Sequence, residues 1–541
     1  MNMIKLKITG MTCGHCAKTV KIALESVEGV ERADVHFPQG YAEVYGKAEV
    51  KKLIDAVNEV GYGAEALQEG PEVFIPKEEM YDLFVLGGGS AGFAAAIRAH
   101  EIGAKVLIAE KGIIGGTCLN RGCIPSKYLI EIANTFFHAR NNPFINAEKL
   151  NVDMKKIADF KQKLVERLRK EKYWDVLEAY PKIDYLSGEA KILTSNKALV
   201  NGKEITFGKS VIAVGTKPTV PSVKGINQVR FYTSDTIFDI DYLPKRLLVI
   251  GGGPIGLELG QAFLRLGSEV ILVERFDEIL PSEERELSSM LKNILQREGM
   301  EIITGAKVIG VRQEGNSILL EIEHQGEKGT LVGSDILLAV GRSPNTHDIG
   351  LESVGIKTKE GGFIETDEFM QTSNPNFYAA GDCVGKLPLV TVAAMEGGVA
   401  AENALLGNKK TVDYATVPRA VFTDPELASV GLKEEEAKNL GFEVDVRVLD
   451  FSKVPRAVIG FREEGLAKMV LDVKTKKILG VHVLSSHGAE VIHKAVLIVK
   501  YGLTVDDVIG TTDVYPTLSE SIKLVAQSFV KDVSKLSCCV S

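Results

Sequence analysis

Gly87-Gly88-Gly89-Ser90-Ala91-Gly92 and Gly251-Gly252-Gly253-Pro254-Ile255-Gly256 are two copies of one pattern, and reading them decides the fold. Each follows a short apolar run, Asp82–Leu86 and Arg246–Ile250, and each opens a stretch of helical period. Each has an acid eighteen residues past its last glycine, Glu110 and Glu274. Gly87 and Gly251 allow a tight turn, Gly89 and Gly253 let the backbone approach a pyrophosphate, and Gly92 and Gly256 let helix pack on strand. The helix N-terminus then faces the anion, and the acid accepts hydrogen bonds from ribose hydroxyls. One such hexapeptide is weak evidence, because a glycine turn can serve packing alone. Two in matching contexts predict two dinucleotide sites, one for a flavin and one for a nicotinamide, with hydride passing from the second to the first.

Outward from these units the texture changes. From about Tyr414 the strands and helices carry no glycine fingerprint, which predicts a third fold unit. Residues 1–68 read strand, helix, strand, strand, helix, strand: Ile4–Ile8, Cys13–Val27, Ala33–Phe37, Tyr41–Tyr45, Ala48–Val60 and a last piece after Gly63. That is the ferredoxin-like βαββαβ order. Residues 69–79, rich in proline and glutamate, read as a linker. The expected division is 1–68, the linker, 80–240 and 351–413 as two parts of a FAD-binding domain, 241–350 as a NAD(P)-binding domain, and 414–541 as a dimerisation domain. The expected fold is an α/β core with two Rossmann-like domains, an α+β dimerisation domain and the small N-terminal module.

Composition narrows the function. The 541 residues are 45% apolar and 25% charged, with net charge −8 and signs interspersed, so no basic face awaits nucleic acid. No apolar run approaches the ~18 residues of a membrane span. Met1–Lys7 lacks a signal peptide's apolar stretch, so a cytoplasmic enzyme is expected. The seven cysteines fall as Cys13/Cys16, Cys118/Cys123, Cys383 and Cys538/Cys539. Three close pairs in so long a chain point to metal or redox chemistry rather than a disulfide scaffold. Cys383, beside Gly381-Asp382, reads as core packing, His487 and His493 as packed or hydrogen-bonded, His15 as exposed, and Trp174 has no readable role.

Gly116-Thr117-Cys118-Leu119-Asn120-Arg121-Gly122-Cys123-Ile124-Pro125-Ser126-Lys127 is the sharpest motif. Pro125 suits a first helical position, placing Cys123 at a helix N-terminus where the dipole favours thiolate. Lys127 and Glu131, four apart, are expected to pair on that helix. The segment resembles the active-site disulfide of the pyridine nucleotide–disulfide oxidoreductases, over Tyr81 to about Gln527, with Tyr378-Ala379-Ala380-Gly381-Asp382 resembling the second flavin-contact motif. The resemblance implies that Asp382 contacts the flavin, that Lys127 sits near its reactive ring, and that Gly92, Gly112, Thr117, Ala190 and Val390 line the site.

Dithiol reductases of that family carry His-Pro-Thr-x-x-Glu, whereas this chain reads Tyr515-Pro516-Thr517-Leu518-Ser519-Glu520. A phenol with a pKa near ~10 is a poor base at neutral pH, which disfavours dihydrolipoamide and glutathione chemistry. Gly10-Met11-Thr12-Cys13-Gly14-His15-Cys16 resembles the heavy-metal-associated domain, with Tyr62 on the loop expected to face it. Adjacent Cys538 and Cys539 on a terminus can offer two soft thiolates to one ion. Together these resemble the branch of the family that reduces mercuric ion. The resemblance implies FAD, NADPH or NADH, and Hg(II) as thiol complexes, relayed from Cys13/Cys16 through Cys538/Cys539 to Cys118/Cys123. It further implies a homodimer sharing its active site through Tyr515, Glu520 and the tail, with a mercury transporter or organomercurial lyase as partners and neither nucleic acid nor membrane insertion. Two departures stand out. Phe231 occupies the position taken for an active-site tyrosine, with Tyr232 as a substitute, and Glu274 favours NADH although Arg275 could offset its charge. The rival readings are a dihydrolipoamide-type disulfide reductase with an accessory metal domain, and a metal carrier or buffer.

Overall fold

In the computed structural model, residues 3–11, 14–37, 40–66, 80–147 and 150–535 are described. Cys13, Cys538, Cys539 and the linker 69–79 lie outside them.

The chain separates into two compact units, 1–74 and 75–541. In the first, strands Val30–His36, Tyr41–Gly46, Met3–Thr9 and Gly63–Ala66 lie in that order in one antiparallel sheet. Tyr41–Gly46 alternates between half-buried and buried positions, as a strand with one covered face must. Helices Gly14–Glu25 and Val50–Glu59 cover that face. Leu53 and Val57, four apart, join Leu6, Ile8, Val20, Leu24 and Val44 in its core. The expected βαββαβ order is present.

The second unit begins with parallel strands Ile183–Ser187, Val106–Glu110, Met80–Leu86 and Lys203–Ile212. Val106–Ala109 is buried throughout, because helices cover both faces of such a sheet. Strands Tyr232–Thr233, Asp335–Leu338, Arg246–Ile250, Glu269–Val273 and Glu301–Ile303 then build a second parallel sheet. The chain afterwards returns, and Phe377–Ala379 pairs with Lys203–Ile212 of the first sheet. Five antiparallel strands between Arg419 and Ser485 complete the unit, backed by helices Gly488–Lys500 and Glu520–Gln527. Among the described residues no helix is long and apolar enough to cross a membrane.

The two fingerprints fold alike. Gly87 and Gly251 both take φ +112°, closed to L side chains. A Cβ on Gly92 would fall 1.9 Å from the Gly87 carbonyl oxygen, and one on Gly256 would fall 2.0 Å from that of Gly251. Helices Ser90–Ile102 and Pro254–Leu266 therefore start hard against their strands. The returning helix Val390–Leu406 lies equally close to the first of these, since a Cβ on Gly397 would meet the Ala91 carbonyl oxygen at 2.1 Å. That contact brings Asp382 and Val390 to the first fingerprint's cleft.

Candidate active site

A cleft of about 2320 Å³ runs past both fingerprints and the cysteine pair. That is more than twice the ~1,000 Å³ upper range of single-ligand pockets, and so has room for two dinucleotides. Gly87, Gly89, Gly112, Thr117, Ala190, Asp382 and Val390 line it, as do Gly251 and Gly253. Gly92 sits behind that lining, where it serves the close approach of helix to strand. Neither fingerprint helix has a side-chain cap at its N-terminus, so first-turn N–H groups remain for an anion. Asp382, accepting from Thr216 Oγ1 at 3.0 Å, stands in the same cleft, and these donors and acceptors fit a flavin dinucleotide.

The cysteines sit on either side of a helix break. Cys118 lies in Gly116–Arg121, and Cys123 opens Cys123–Arg140 with Gly122 between them. Pro125 is thus the third helical residue rather than the first, and Cys123 itself holds the N-terminal position. A Cβ on Gly122 would meet the Thr117 carbonyl oxygen at 3.0 Å, so glycine lets the two turns close on each other. The two thiols hydrogen-bond. That bond holds Cys123 below the ordinary thiol pKa, with Lys127 and the helix start adding to it against burial, and holds Cys118 above it. Cys123 is the more acidic thiol of the pair.

Asn120 locks this loop: its Nδ2 donates to Gly116 O at 2.9 Å and Ile114 O at 3.0 Å. Its Oδ1 accepts from Arg169 Nε at 3.0 Å and Nη2 at 2.8 Å. Lys127 does not pair with Glu131, which is exposed. Its Nζ instead donates to Glu258 Oε2 at 2.8 Å and lies 4.3 Å from the Phe422 ring centroid. Glu258 is buried on the second fingerprint helix and also accepts from Phe422 N–H at 2.9 Å. A buried carboxylate demands a cation, and that demand outweighs an exposed i,i+4 pair worth only about 0.3–0.5 kcal/mol.

Tyr232 is no substitute for the tyrosine expected at Phe231. It is buried, its hydroxyl lies 3.0 Å from that of Tyr242, and Phe231 packs on an apolar cluster. Another tyrosine, Tyr173, feels the charge of the cysteine pair. It lies in a single π-helical turn, Lys170–Trp174, packs edge-on against Phe93 at 4.7 Å and hydrogen-bonds Ser90 in the cleft wall. Burial raises its pKa, and the charges of Cys118 and Cys123 push the same way, which places it in the dithiol's field.

Cys383 is fully buried, its thiol donating to Ala380 O at 3.3 Å, and burial pushes its pKa up to about 12, as suits a packing residue. Trp174 packs edge-on against Tyr185 at 5.2 Å. His487 and His493 are both exposed in the single chain: His487 takes a left-handed conformation just before helix Gly488–Lys500, and His493, on that helix, lines the cleft. Tyr515 is 46% exposed, and neither it nor Glu520 lines the cleft of its own chain. Glu520 keeps one buried carboxylate oxygen unbonded among the described residues; burial, then Asp513, raises its pKa. In the small unit Cys16 is buried in helix Gly14–Glu25, and a Cβ on Gly10 would touch the Tyr62 ring at 3.7 Å, so that ring borders the cysteine loop.

Residues 81–397 match the pyridine nucleotide-disulphide oxidoreductase family, 417–526 its dimerisation domain, and 5–63 the heavy-metal-associated domain. The mercuric reductase of Lysinibacillus sphaericus is 39% identical over 546 residues, covering 100% of both chains, and that of Staphylococcus aureus is 39% identical over 99% of both. The chain belongs to the mercuric reductase family. Among solved structures, the HOCl-induced flavoprotein disulfide reductase RclA from Escherichia coli superimposes with a TM-score of 0.75 at 29% identity, over 83% of this chain and 100% of that one. LpdA from Mycobacterium tuberculosis gives 0.76 at 27%, over 83% and 100%. Family membership bears out the fold class and the flavin and nicotinamide cofactors expected from the two fingerprints.

Sequence reading missed Glu258, Arg169 and Tyr173. Glu258 stands four residues after the Pro254 that opens its helix, a signal only once the Lys127 partner is known. The π-turn around Tyr173 has no sequence mark at all.

Proposed function

We propose that the enzyme reduces Hg(II) to Hg(0), oxidising NAD(P)H to NAD(P)⁺ and a proton, and so detoxifies mercury in the cytoplasm. The observation that carries this is a pair of cysteines, one acidified at a helix start, on the wall of a cleft shared by two dinucleotide fingerprints, in a chain related to mercuric reductases over its full length. Bound FAD would supply the two-electron path between nicotinamide and dithiol, which no side chain provides. Gly87, Gly89, Glu110 and Asp382 would hold it. Cys118 and Cys123 take the soft ion as a two-thiolate complex. Lys127, steadied by Glu258, keeps positive charge beside them, and Arg169 fixes the loop through Asn120.

Delivery to that pair is by ligand exchange. Cys13 and Cys16 capture the ion, Cys538 and Cys539 pass it inward, and Tyr515 and Glu520 serve the partner subunit's dithiol in a homodimer. The orphaned oxygen of Glu520, outside its own chain's cleft, supports that sharing. A mercury transporter or organomercurial lyase would supply the ion upstream. The deciding experiment follows nicotinamide oxidation by purified holoenzyme in excess thiol, with and without Hg(II), alongside evolution of mercury vapour. Oxidation that requires Hg(II) and yields vapour supports the reading. Turnover with lipoamide and none with Hg(II) would favour the disulfide reductase alternative.

Two outcomes test delivery. A chain beginning at Met80 is expected to bind flavin and keep most turnover with small mercury–thiol complexes, while losing extraction of Hg(II) from protein thiols, because residues 1–74 form a compact unit with a core of their own. Loss of turnover with small complexes would refute the module. Cys538→Ala/Cys539→Ala is expected to leave flavin reduction by nicotinamide unchanged and to slow turnover with Hg(II) dithiol complexes more than with the bromide. Equal effects on both complexes would remove the tail from the handoff.

A further inference from the structure

We infer that the second nucleotide site selects NADH over NADPH, with Glu274 as the deciding residue. This deepens the functional reading by naming its electron donor, and it rests on that reading for the identity of the site.

Strand Glu269–Val273 delivers Glu274 to the Gly251–Pro254 turn, where the residue lines the cleft yet is only 6% exposed. Its Oε2 accepts from Gly252 N–H at 2.5 Å and its Oε1 from Phe276 N–H at 2.9 Å. An acid here accepts from the ribose hydroxyl of NADH, whereas the 2′-phosphate of NADPH brings further negative charge to the same place. A carboxylate on a flexible arm could relieve that repulsion by rotating away. This one cannot do so without stranding two backbone N–H groups that it alone satisfies in this turn. Gly252 confines it further, since even a Cβ there would fall 3.1 Å from Oε2.

Two cations border this end of the cleft, Arg275 and Lys307, and both are exposed. Arg275 lies with its guanidinium 4.6 Å from the Phe276 ring centroid. Among the described residues no cation forms an ion pair with Glu274, so its charge is not cancelled in place. A solvated cation is screened by water, whereas a sheltered anion is screened far less. The first unit makes the same comparison internally: Glu110 accepts from Gly88 N–H and Gly112 N–H, each at 2.6 Å. The flavin dinucleotide proposed for that unit has a free adenosine ribose, so the twin geometry is the one suited to an unphosphorylated sugar.

The test mixes anaerobic holoenzyme with NADH or NADPH in the absence of mercury and follows bleaching of the flavin absorbance. In parallel, calorimetry compares binding of ADP-ribose with that of its 2′-phosphate. NADH and ADP-ribose are expected to bind at least about tenfold more tightly than their phosphorylated counterparts, a difference of about 1.4 kcal/mol. Glu274→Gln removes the charge and keeps one acceptor, so it should narrow the gap by tightening the phosphorylated ligands. Equal or tighter binding of NADPH by the wild type overturns the inference. So does an unchanged ratio in a flavin-bound Glu274→Gln protein, or a loss of NADPH affinity in Arg275→Ala larger than the gain in Glu274→Gln. A wild type that prefers NADH yet leaves Hg(II) unreduced sinks the functional reading and spares this one. One that reduces Hg(II) chiefly with NADPH does the reverse.

Discussion

Cys123→Ala is expected to abolish mercury-dependent oxidation of the nicotinamide, by a factor on the order of a thousand or more, the scale seen when a group that works as part of a unit is removed. Hg(II) prefers two thiolate ligands, and Cys123 is the member of the pair whose pKa lies below the ordinary value. Its bond to Cys118, the Lys127 charge and the helix start all act on it at once, so no neighbouring group can replace it. The groups proposed to hold the flavin, among them Gly87, Gly89 and Asp382, are untouched, and the protein should purify yellow and still be reduced by nicotinamide. Cys118→Ala should behave the same way. The measurement is turnover with Hg(II) against flavin reduction without it, and normal turnover in Cys123→Ala would sink the dithiol as the reduction site.

Arg265→Met is expected to cost about 3–5 kcal/mol of stability, the range for breaking a buried ion pair from one side. The Arg265 side chain is 2% exposed on the second fingerprint helix. Its Nη2 lies 2.5 Å from Glu298 Oε1, and its Nη1 donates to Asp424 Oδ2 and Asn134 Oδ1, both at 2.7 Å. His138 Nε2 lies 2.6 Å from the same Asp424 oxygen. One guanidinium thus joins the helix that carries Cys123, the second nucleotide unit and the turn between the first two strands of the third, and its loss removes the cation from two largely buried carboxylates. Arg265→Lys should recover only part of the stability, because an ammonium cannot make the forked contacts. Denaturant unfolding of the holoenzyme measures both variants, and a loss below about 1 kcal/mol in Arg265→Met would show the cluster to be solvated.

The same cluster sets a pH dependence. Burial alone would raise the Asp424 pKa, but the bond to His138 and the charge and bond of Arg265 hold it well below the usual aspartate range. A depressed folded pKa adds stability that is complete above the unfolded value near ~3.9 and is lost as pH falls through the folded value. The stability difference between wild type and Asp424→Asn should therefore be level at neutral pH and shrink in acid.

The glycine fingerprints, the helix start at Cys123 and the βαββαβ order were legible in the amino-acid sequence because each is local. A turn that needs φ +112° at Gly87, or a helix pressed against its strand at Gly92, depends on residues a few positions apart. Spacing along the chain is then spacing in the fold. Tertiary structure alone decided the rest. Lys127 takes Glu258, 131 positions away, over Glu131, because a carboxylate buried between units must be neutralised while an exposed one is satisfied by water. Tyr232 turns inward to Tyr242, and a π-turn with no sequence mark brings Tyr173 to Ser90 in the cleft wall, within the field of the dithiol. Glu274 was visible as an acid at the right distance, but not the pair of backbone bonds that keeps it from moving aside. The common reason is desolvation. A sequence shows which groups carry charge, and only the packed chain shows which have lost their water and must find a partner.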